Sequence, residues 1–395
     1  MINKDIKLII EQDLKDLVEN AVKEGKDIEY KRELLTVSDD EKKEFLADVS
    51  SFANAGGGDL IIGIEEDKTT GEPKEVRGIE IENTDKEIQR LDNIIRDGIS
   101  PRIPSLDIQS IKLSNGKSVL ILRISQSWIS PHRVIFKGSD KFYSRNSSGR
   151  YPLDVDELRI AFTLSETLKS KIANFRVDRI SKIIANETPV MCNENPKVIL
   201  HIIPLVSFSR VQNYDIQKVV DAPNIFSKML PIGHSVHSYR YNYDGFLTYS
   251  SGTDGKAGSY FQLYRNGIIE AVEACMLGWY NEKKIIPSIT FEKEIIDALT
   301  RYLSLLQIMN VAMPIFINLT LVGVKGYILE TANRDPFVDK VPIDRDTLLF
   351  PEHIIEKYSE KAEHILKSNY DALWSAAGYP RDSYYDEKGD WKPPR

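Results

Sequence analysis

Apolar residues recur at helical spacing through Leu14, Leu17, Val18, Ala21 and Val22, which predicts an amphipathic helix over residues 13–24, ending at Glu24 with Gly25 just past it. Residues 27–35 then alternate through Ile28, Tyr30 and Leu34, a strand pattern that puts Glu29 and Lys31 together on the opposite face. Ser38-Asp-Asp-Glu41 reads as a capping box for a second helix with Phe45, Leu46, Val49, Phe52 and Ala53 inward. The apolar run 60–64 predicts a buried strand. Thr84-Asp-Lys-Glu87 caps a third helix, and two alternating segments flank Asn115-Gly116, a strong hairpin signal. A strand and loop over 136–150 and a helix over 154–172 complete a first domain, taken as residues 1–175.

The pattern changes in residues 176–395, where strands are predicted over 197–205, 245–250, 260–264 and 315–329 and helices over 291–309 and 352–373. The type of the apolar stretch 268–277 stays open, and the polar, proline-bearing tail 378–395 is expected to be partly disordered. The fold class is therefore α/β (mixed α+β) in the first domain, followed by a second α+β domain of unassigned fold.

At 395 residues, 42% hydrophobic and 28% charged, the chain suits two ordinary globular domains. Its net charge of −7 argues against a wholly basic nucleic-acid-coating protein and leaves room for a local basic groove. No run of about 18 apolar residues occurs, so no membrane span and a cytoplasmic protein are expected. Cys192 and Cys275 lack partner spacing for zinc and read as buried, reduced thiols. His201, in an apolar strand, and His234-Ser-Val-His237, which lacks an accompanying acid, read as structural.

Glu24, Glu29 and the cluster Glu65-Glu66-Asp67 fall at the ends of three elements. If the strands are neighbours their carboxylates converge beside Lys31. A hard divalent cation and a phosphate ester require that combination, because the cation takes oxygen ligands and neutralises charge developing in an in-line displacement. Each acid alone is ordinary, and which of Glu65, Glu66 and Asp67 would join is open. The glycines of Ala55-Gly-Gly-Gly58 follow a helix and precede a strand, the wrong order for a phosphate cradle, so they read as a tight helix exit. Residues 132–151 gather His132, Arg133, Lys137, Lys141, Arg145 and Arg150 among Phe136, Phe142, Tyr143 and Tyr151, a mixture suited to phosphates and unpaired bases.

Together, Glu24-x4-Glu29-Tyr-Lys31, Ser51-Phe-Ala-Asn-Ala-Gly-Gly-Gly-Asp-Leu-Ile-Ile-Gly63-Ile-Glu-Glu66 and Phe142-Tyr-Ser-Arg145-Asn-Ser-Ser resemble the Schlafen/AlbA-like domain over roughly residues 10–165. The resemblance implies a metal-dependent RNA-cleaving site in which Glu24, Glu29 and Glu66, or Asp67 by a one-residue shift, hold Mg²⁺ or Mn²⁺. It implies an endoribonuclease, with tRNA as a candidate substrate, in prokaryotic anti-phage defence. Lys31 would steady the attacked phosphate, and Arg133, Lys137, Lys141, Tyr143, Arg145 and Arg150 would hold the nucleic acid. The alternative is a non-catalytic DNA-binding regulator. Residues 176–395 are expected to sense, regulate or form a homo-oligomer.

Overall fold

The computed structural model describes residues 1–2, 4–34, 37–67, 69–208, 213–236, 238–251, 255–277, 284–332 and 341–394. These divide into two compact units, Met1–Thr167 and Leu168–Arg395. Among the described residues no helix is long and apolar enough to cross a membrane.

The first unit runs α1 (Glu11–Glu19), β1 (Ile28–Lys31), α2 (Asp39–Asn54), β2 (Gly58–Ile62), β3 (Ile64–Glu66), β4 (Pro73–Val76), α3 (Thr84–Gly98), β5 (Ile99–Ser100), β6 (Leu106–Lys112), β7 (Ser118–Ile124), β8 (Arg133–Val134), β9 (Lys141–Asn146), β10 (Gly149–Pro152) and the start of α4 (Val155–Ile184). One sheet has the order β1-β2-β7-β6, a second β10-β9-β8-β5, and β3 pairs with β4.

The apolar run in β2 is continuous because both faces of its sheet are covered. Leu60 and Ile62 pack with Phe45, Val49 and Phe52 of α2, while Ile61 packs with Leu14 of α1 and with Ile28 and Tyr30 of β1. Strand alternation then leaves Glu29 and Lys31 on the α2 side. Ser38 and Glu41 form the expected capping box, and Asn115-Gly116 turns the β6–β7 hairpin.

Several boundaries differ from the sequence pattern. The first helix stops at Glu19, so Glu24 lies in the connection to β1, where its N–H donates to Gly71 O at 2.9 Å. The strand expected over 27–35 contracts to β1, with Leu35 outside the described residues. Asn83, rather than Thr84, caps α3 by accepting from Lys86 N–H. The helix α4 continues beyond residue 172 because nothing interrupts it before Asn186, which takes a left-handed φ of 57°.

In the second unit the strands are β11 (Lys197–Pro204), β12 (Ser238–Tyr241), β13 (Gly245–Ser251), β14 (Ala257–Tyr264), β15 (Ile269–Glu273), β16 (Ile285–Pro287), β17 (Ile315–Val322), β18 (Ile328–Glu330), β19 (Thr347–Leu349) and β20 (His353–Ile355). Its helices are the end of α4, then α5 (Ile216–Val220), α6 (Ser288–Ile308) and α7 (Ala362–Ala376). The main sheet has the order β12-β13-β14-β15-β11-β17-β19, with β20 also on β17. One face packs on α6 and α7, and the other on Ile180 and Ile183 of α4.

The open stretch 268–277 is therefore strand at its centre. The helix expected over 352–373 is instead β20 followed by α7, because pairing of Ile354 and Ile355 with Phe316 and Ile315 overrides helical spacing. Likewise the tail is packed: Tyr384 is buried, and Trp391 Nε1–H donates to Glu292 Oε2 at 2.7 Å.

Candidate active site and nucleic-acid surface

Gly63, at the end of β2, has φ +112°, and a Cβ there would meet Gly78 Cα at 3.1 Å. The chain turns here out of the main sheet into the β3–β4 hairpin. A register shift between Glu65 and Glu66 separates the two acids, as bulges do when they redirect a side chain. Glu65 goes to Arg77 at 2.7 Å. Asp67 closes the turn: its Oδ1 accepts from Thr69 N–H at 2.7 Å, and Lys74 lies 3.1 Å from the other oxygen. Glu66 is the member of the cluster that meets Glu24, through a hydrogen bond between the two carboxyl groups.

Glu24 Oε1 also accepts from Tyr30 N–H at 2.6 Å. Burial, followed by the bond to Glu66 and the charge of Glu29, pushes the Glu24 carboxyl up to about 8. At neutral pH Glu24 therefore keeps its proton and donates it to Glu66. Burial and the neighbouring carboxyl groups together produce this state.

Glu29 is in the opposite condition. Its Oε1 takes Lys31 Nζ at 2.5 Å and its Oε2 takes Arg145 at 2.5 Å. Burial opposes ionisation, but Lys31 and Arg145 outweigh it and hold the carboxyl below its ordinary range. Burial likewise works against the Lys31 ammonium, and Asp48 and Glu29 reverse that effect.

Asp48 was not legible as a site residue. It sits on α2 at 2% exposure, 3.5 Å from Lys31 Nζ and 2.8 Å from Arg150. Burial, then the charge of Glu29, raises it to about 6 despite Lys31 and Arg150. Its signal is positional: an acid between Phe45 and Phe52 falls on the apolar stripe of its helix.

The Phe-Ala-Asn-Ala-Gly-Gly-Gly segment builds the floor of this site. A Cβ at Gly58 would lie 2.3 Å from the Phe52 ring, so the glycine makes room for the ring, and the Arg145 guanidinium sits 3.7 Å above its centroid. Asn54 Nδ2–H donates to His132 O at 2.9 Å and Tyr143 O at 2.8 Å, clipping the β8–β9 region to the end of α2. Arg145, expected on the nucleic-acid surface, is 3% exposed. It also donates to Gly25 O at 3.1 Å, and its Nε and one terminal nitrogen are buried without partners. His132 is buried too, with Nδ1 2.7 Å from Pro101 O; burial lowers its pKa.

The remaining basic residues divide by partner. Arg133 pairs with Asp140 at 3.1 Å and Lys137 with Asp39 at 2.7 Å, while Arg150 is drawn to α2 through Glu44 O at 2.6 Å. Lys141 is exposed. Lys137, Lys141, Tyr143 and Arg150 line a groove of about 420 Å³ with Lys43 and Glu44.

A carboxylate donor set suits Mg²⁺ or Mn²⁺, and such a cation would take the place of the proton on Glu24. Among the described residues, however, the ligand atoms of Glu24, Glu29 and Glu66 do not form a set all within 4.8 Å of one another, because Glu29 is turned to Lys31 and Arg145.

Residues 24–154 match the family described as Schlafen, AlbA_2. The amino-terminal domain is Schlafen/AlbA-like. The match begins at Glu24, takes in Asp48, Glu66 and Arg150, and leaves the second unit outside it. The family points to a nucleic-acid-related function. The similar solved structures include the following two. The DIP2311 protein from Corynebacterium diphtheriae is 21% identical, with a TM-score of 0.26 over 36% of this chain and 26% of that one. The N-terminal domain of a RecG-related protein from Nitrosomonas europaea is 21% identical, with a TM-score of 0.26 over 33% of this chain and 86% of that one. The chain thus spans about a quarter of the first structure's length. No curated protein matches.

Proposed function

We propose that the Schlafen-like domain is a metal-dependent endoribonuclease, with tRNA as its candidate substrate, serving as the effector of a prokaryotic anti-phage defence system. The observation that carries this reading is the meeting of three acids: the buried Glu24 carboxyl against Glu66, beside a Glu29 whose two oxygens are held by Lys31 and Arg145. Glu24 and Glu66, with Glu29 adjoining, would hold Mg²⁺ or Mn²⁺. Such an ion, when bound, polarises a phosphoryl oxygen and lowers the pKa of its water.

The chain's own groups divide the remaining work. Lys31 steadies the attacked phosphate, and Arg145, buried over Phe52, holds the Glu29 carboxylate in place. Asp48 and Phe52 fix those two cations in place. Lys43, Lys141 and Arg150 follow the backbone along the groove, and Tyr143 offers a face for an unpaired base.

A DNA-binding regulator is the second reading. The observation favouring it is that both oxygens of Glu29 are already occupied by Lys31 and Arg145. One experiment separates the two: purified protein is incubated with total tRNA, single-stranded DNA and double-stranded DNA, with Mn²⁺ or with EDTA, wild type beside Glu29→Ala. The nuclease predicts metal-dependent cutting of RNA that the substitution removes. Binding without cutting, unchanged by Glu29→Ala, would transfer the assignment to the regulator.

A further inference from the structure

Glu273 is the last residue of β15, and Cys275 follows two positions later. His234, from the segment before β12, reaches the same point. One ring nitrogen of His234, one carboxylate oxygen of Glu273 and Sγ of Cys275 all lie within 4.8 Å of one another. His234 Nε2 is 3.4 Å from Glu273 Oε1, and its ring is also hydrogen-bonded to Cys275.

The Glu273 carboxylate is fixed and incompletely satisfied. Its Oε1 accepts the backbone N–H groups of Cys275 and Met276, each at 2.7 Å. Its Oε2 is buried with no hydrogen-bond partner, on a side chain that is 0% exposed. Leaving such an oxygen unmet is unfavourable, and a cation bound beside it would meet it.

Space and polarity around the sulfur fit the same end. A Cβ at Gly258 would come within 2.5 Å of Cys275 Sγ, so glycine on β14 is what leaves the thiol its position. Asn193 Nδ2–H donates to Cys275 Sγ at 3.1 Å, the kind of bond that orients a ligating sulfur and stabilises its thiolate.

We propose that His234, Glu273 and Cys275 form a three-ligand site for a zinc-class divalent cation, with Asn193 as the positioning residue for the sulfur. Imidazole nitrogen, thiolate and carboxylate are the ligand types zinc takes, whereas Mg²⁺ and Ca²⁺ require oxygen donors throughout. A thiolate and a carboxylate supply two negative charges, which a divalent cation balances. Three protein ligands leave the fourth tetrahedral position for water or another donor. The site is separate from the carboxylates of the Schlafen-like domain in sequence and in donor chemistry.

A second group, Glu363, His364 and Asp390, also brings its ligand atoms within 4.8 Å. Its Asp390 is already neutralised by Lys361 at 2.8 Å, and none of its oxygens is a buried orphan. It serves as the internal control.

The test uses the full chain, stripped with a chelator and titrated with Co²⁺, followed by elemental analysis after loading with Zn²⁺ and desalting. The expected result is a thiolate-to-cobalt charge-transfer absorption in the near ultraviolet and one retained zinc per chain. Cys275→Ser removes the absorption and His234→Ala removes zinc retention, while Asn193→Ala weakens affinity roughly 10–100-fold. Cys192→Ser and His364→Ala leave both readouts unchanged. Because the absorption is read on the wild type, it does not depend on a variant's folding, and far-ultraviolet circular dichroism checks each variant. Wild-type protein with no charge-transfer absorption, or zinc retained by Cys275→Ser and lost in His364→Ala, would overturn the site.

Discussion

Glu270, in the second unit, and Glu24, in the first, are both withdrawn from water, yet their protonation lies at opposite extremes. Glu270 is fully buried, and every direction around its carboxylate is met: Arg179 at 2.7 and 2.8 Å, His201 at 3.0 Å and Tyr260 OH at 2.8 Å. Burial alone would raise its pKa, but Arg179 and His201 overcome that and bring it to about 2. Glu24, buried against Glu66 and near Glu29, accepts a backbone N–H from Tyr30 and is raised to about 8. A buried carboxylate with its own cation is a structural tie. An acid pair without one holds a proton in its place.

The comparison breaks first if Glu270 is not structural. Glu270→Ala leaves Arg179, His201 and Tyr260 uncompensated, and urea unfolding should show the second unit destabilised by about 4 kcal/mol. The depressed Glu270 pKa contributes stability that is present above pH 4.5 and is lost as pH falls toward 2. Glu66→Gln in the first unit should have the reverse profile: at least ~100-fold slower RNA cleavage in Mn²⁺, with stability retained in the same urea assay.

Glu24 sharpens the contrast through pH. Its carboxyl is raised from 4.5 to about 8, so the folded protein holds this proton more tightly than the unfolded chain. The associated stability is fully present below pH 4.5 and is lost as pH rises through 8. In metal-free buffer Glu24→Gln should remove this loss, leaving the variant about 1 kcal/mol more stable than wild type at pH 9, a value reduced for the partial exposure of the site. Thermal melts from pH 5 to 9 measure it.

Lys141→Ala should weaken RNA binding modestly at all sequences and reduce the slope of log affinity against log salt by about 1, as read by fluorescence anisotropy. The smallest effect belongs to Asp67→Ala, whose side chain serves the turn: cleavage should be unchanged and stability lowered by less than about 1 kcal/mol.

Much of the first unit could be read from residues with strictly local rules. Ser38 and Glu41 announce a capping box, Asn115-Gly116 a hairpin, and Glu29 with Lys31 one face of a strand, because each is decided by neighbours in sequence. What could not be read depends on distant partners. The bulge that sends Glu66 to Glu24 and Asp67 into a turn has no local signature in Glu65-Glu66-Asp67. Arg145 looks like any basic strand residue until Phe52 and Gly58 are brought beneath it. In the second unit His234 lies far from Glu273 and Cys275 along the chain, and only the sheet brings them together. His237, its partner in the sequence pattern, lies outside the described residues.

Glu24 carries a proton at neutral pH, and a divalent cation bound at this site would displace it. Calorimetric titration of Mn²⁺ into the protein at pH 7, in two buffers of different ionisation enthalpy, measures that proton directly. The expected result is release of close to one proton per Mn²⁺ bound, abolished in Glu24→Gln. Binding without proton release, or release that persists in Glu24→Gln, would contradict it.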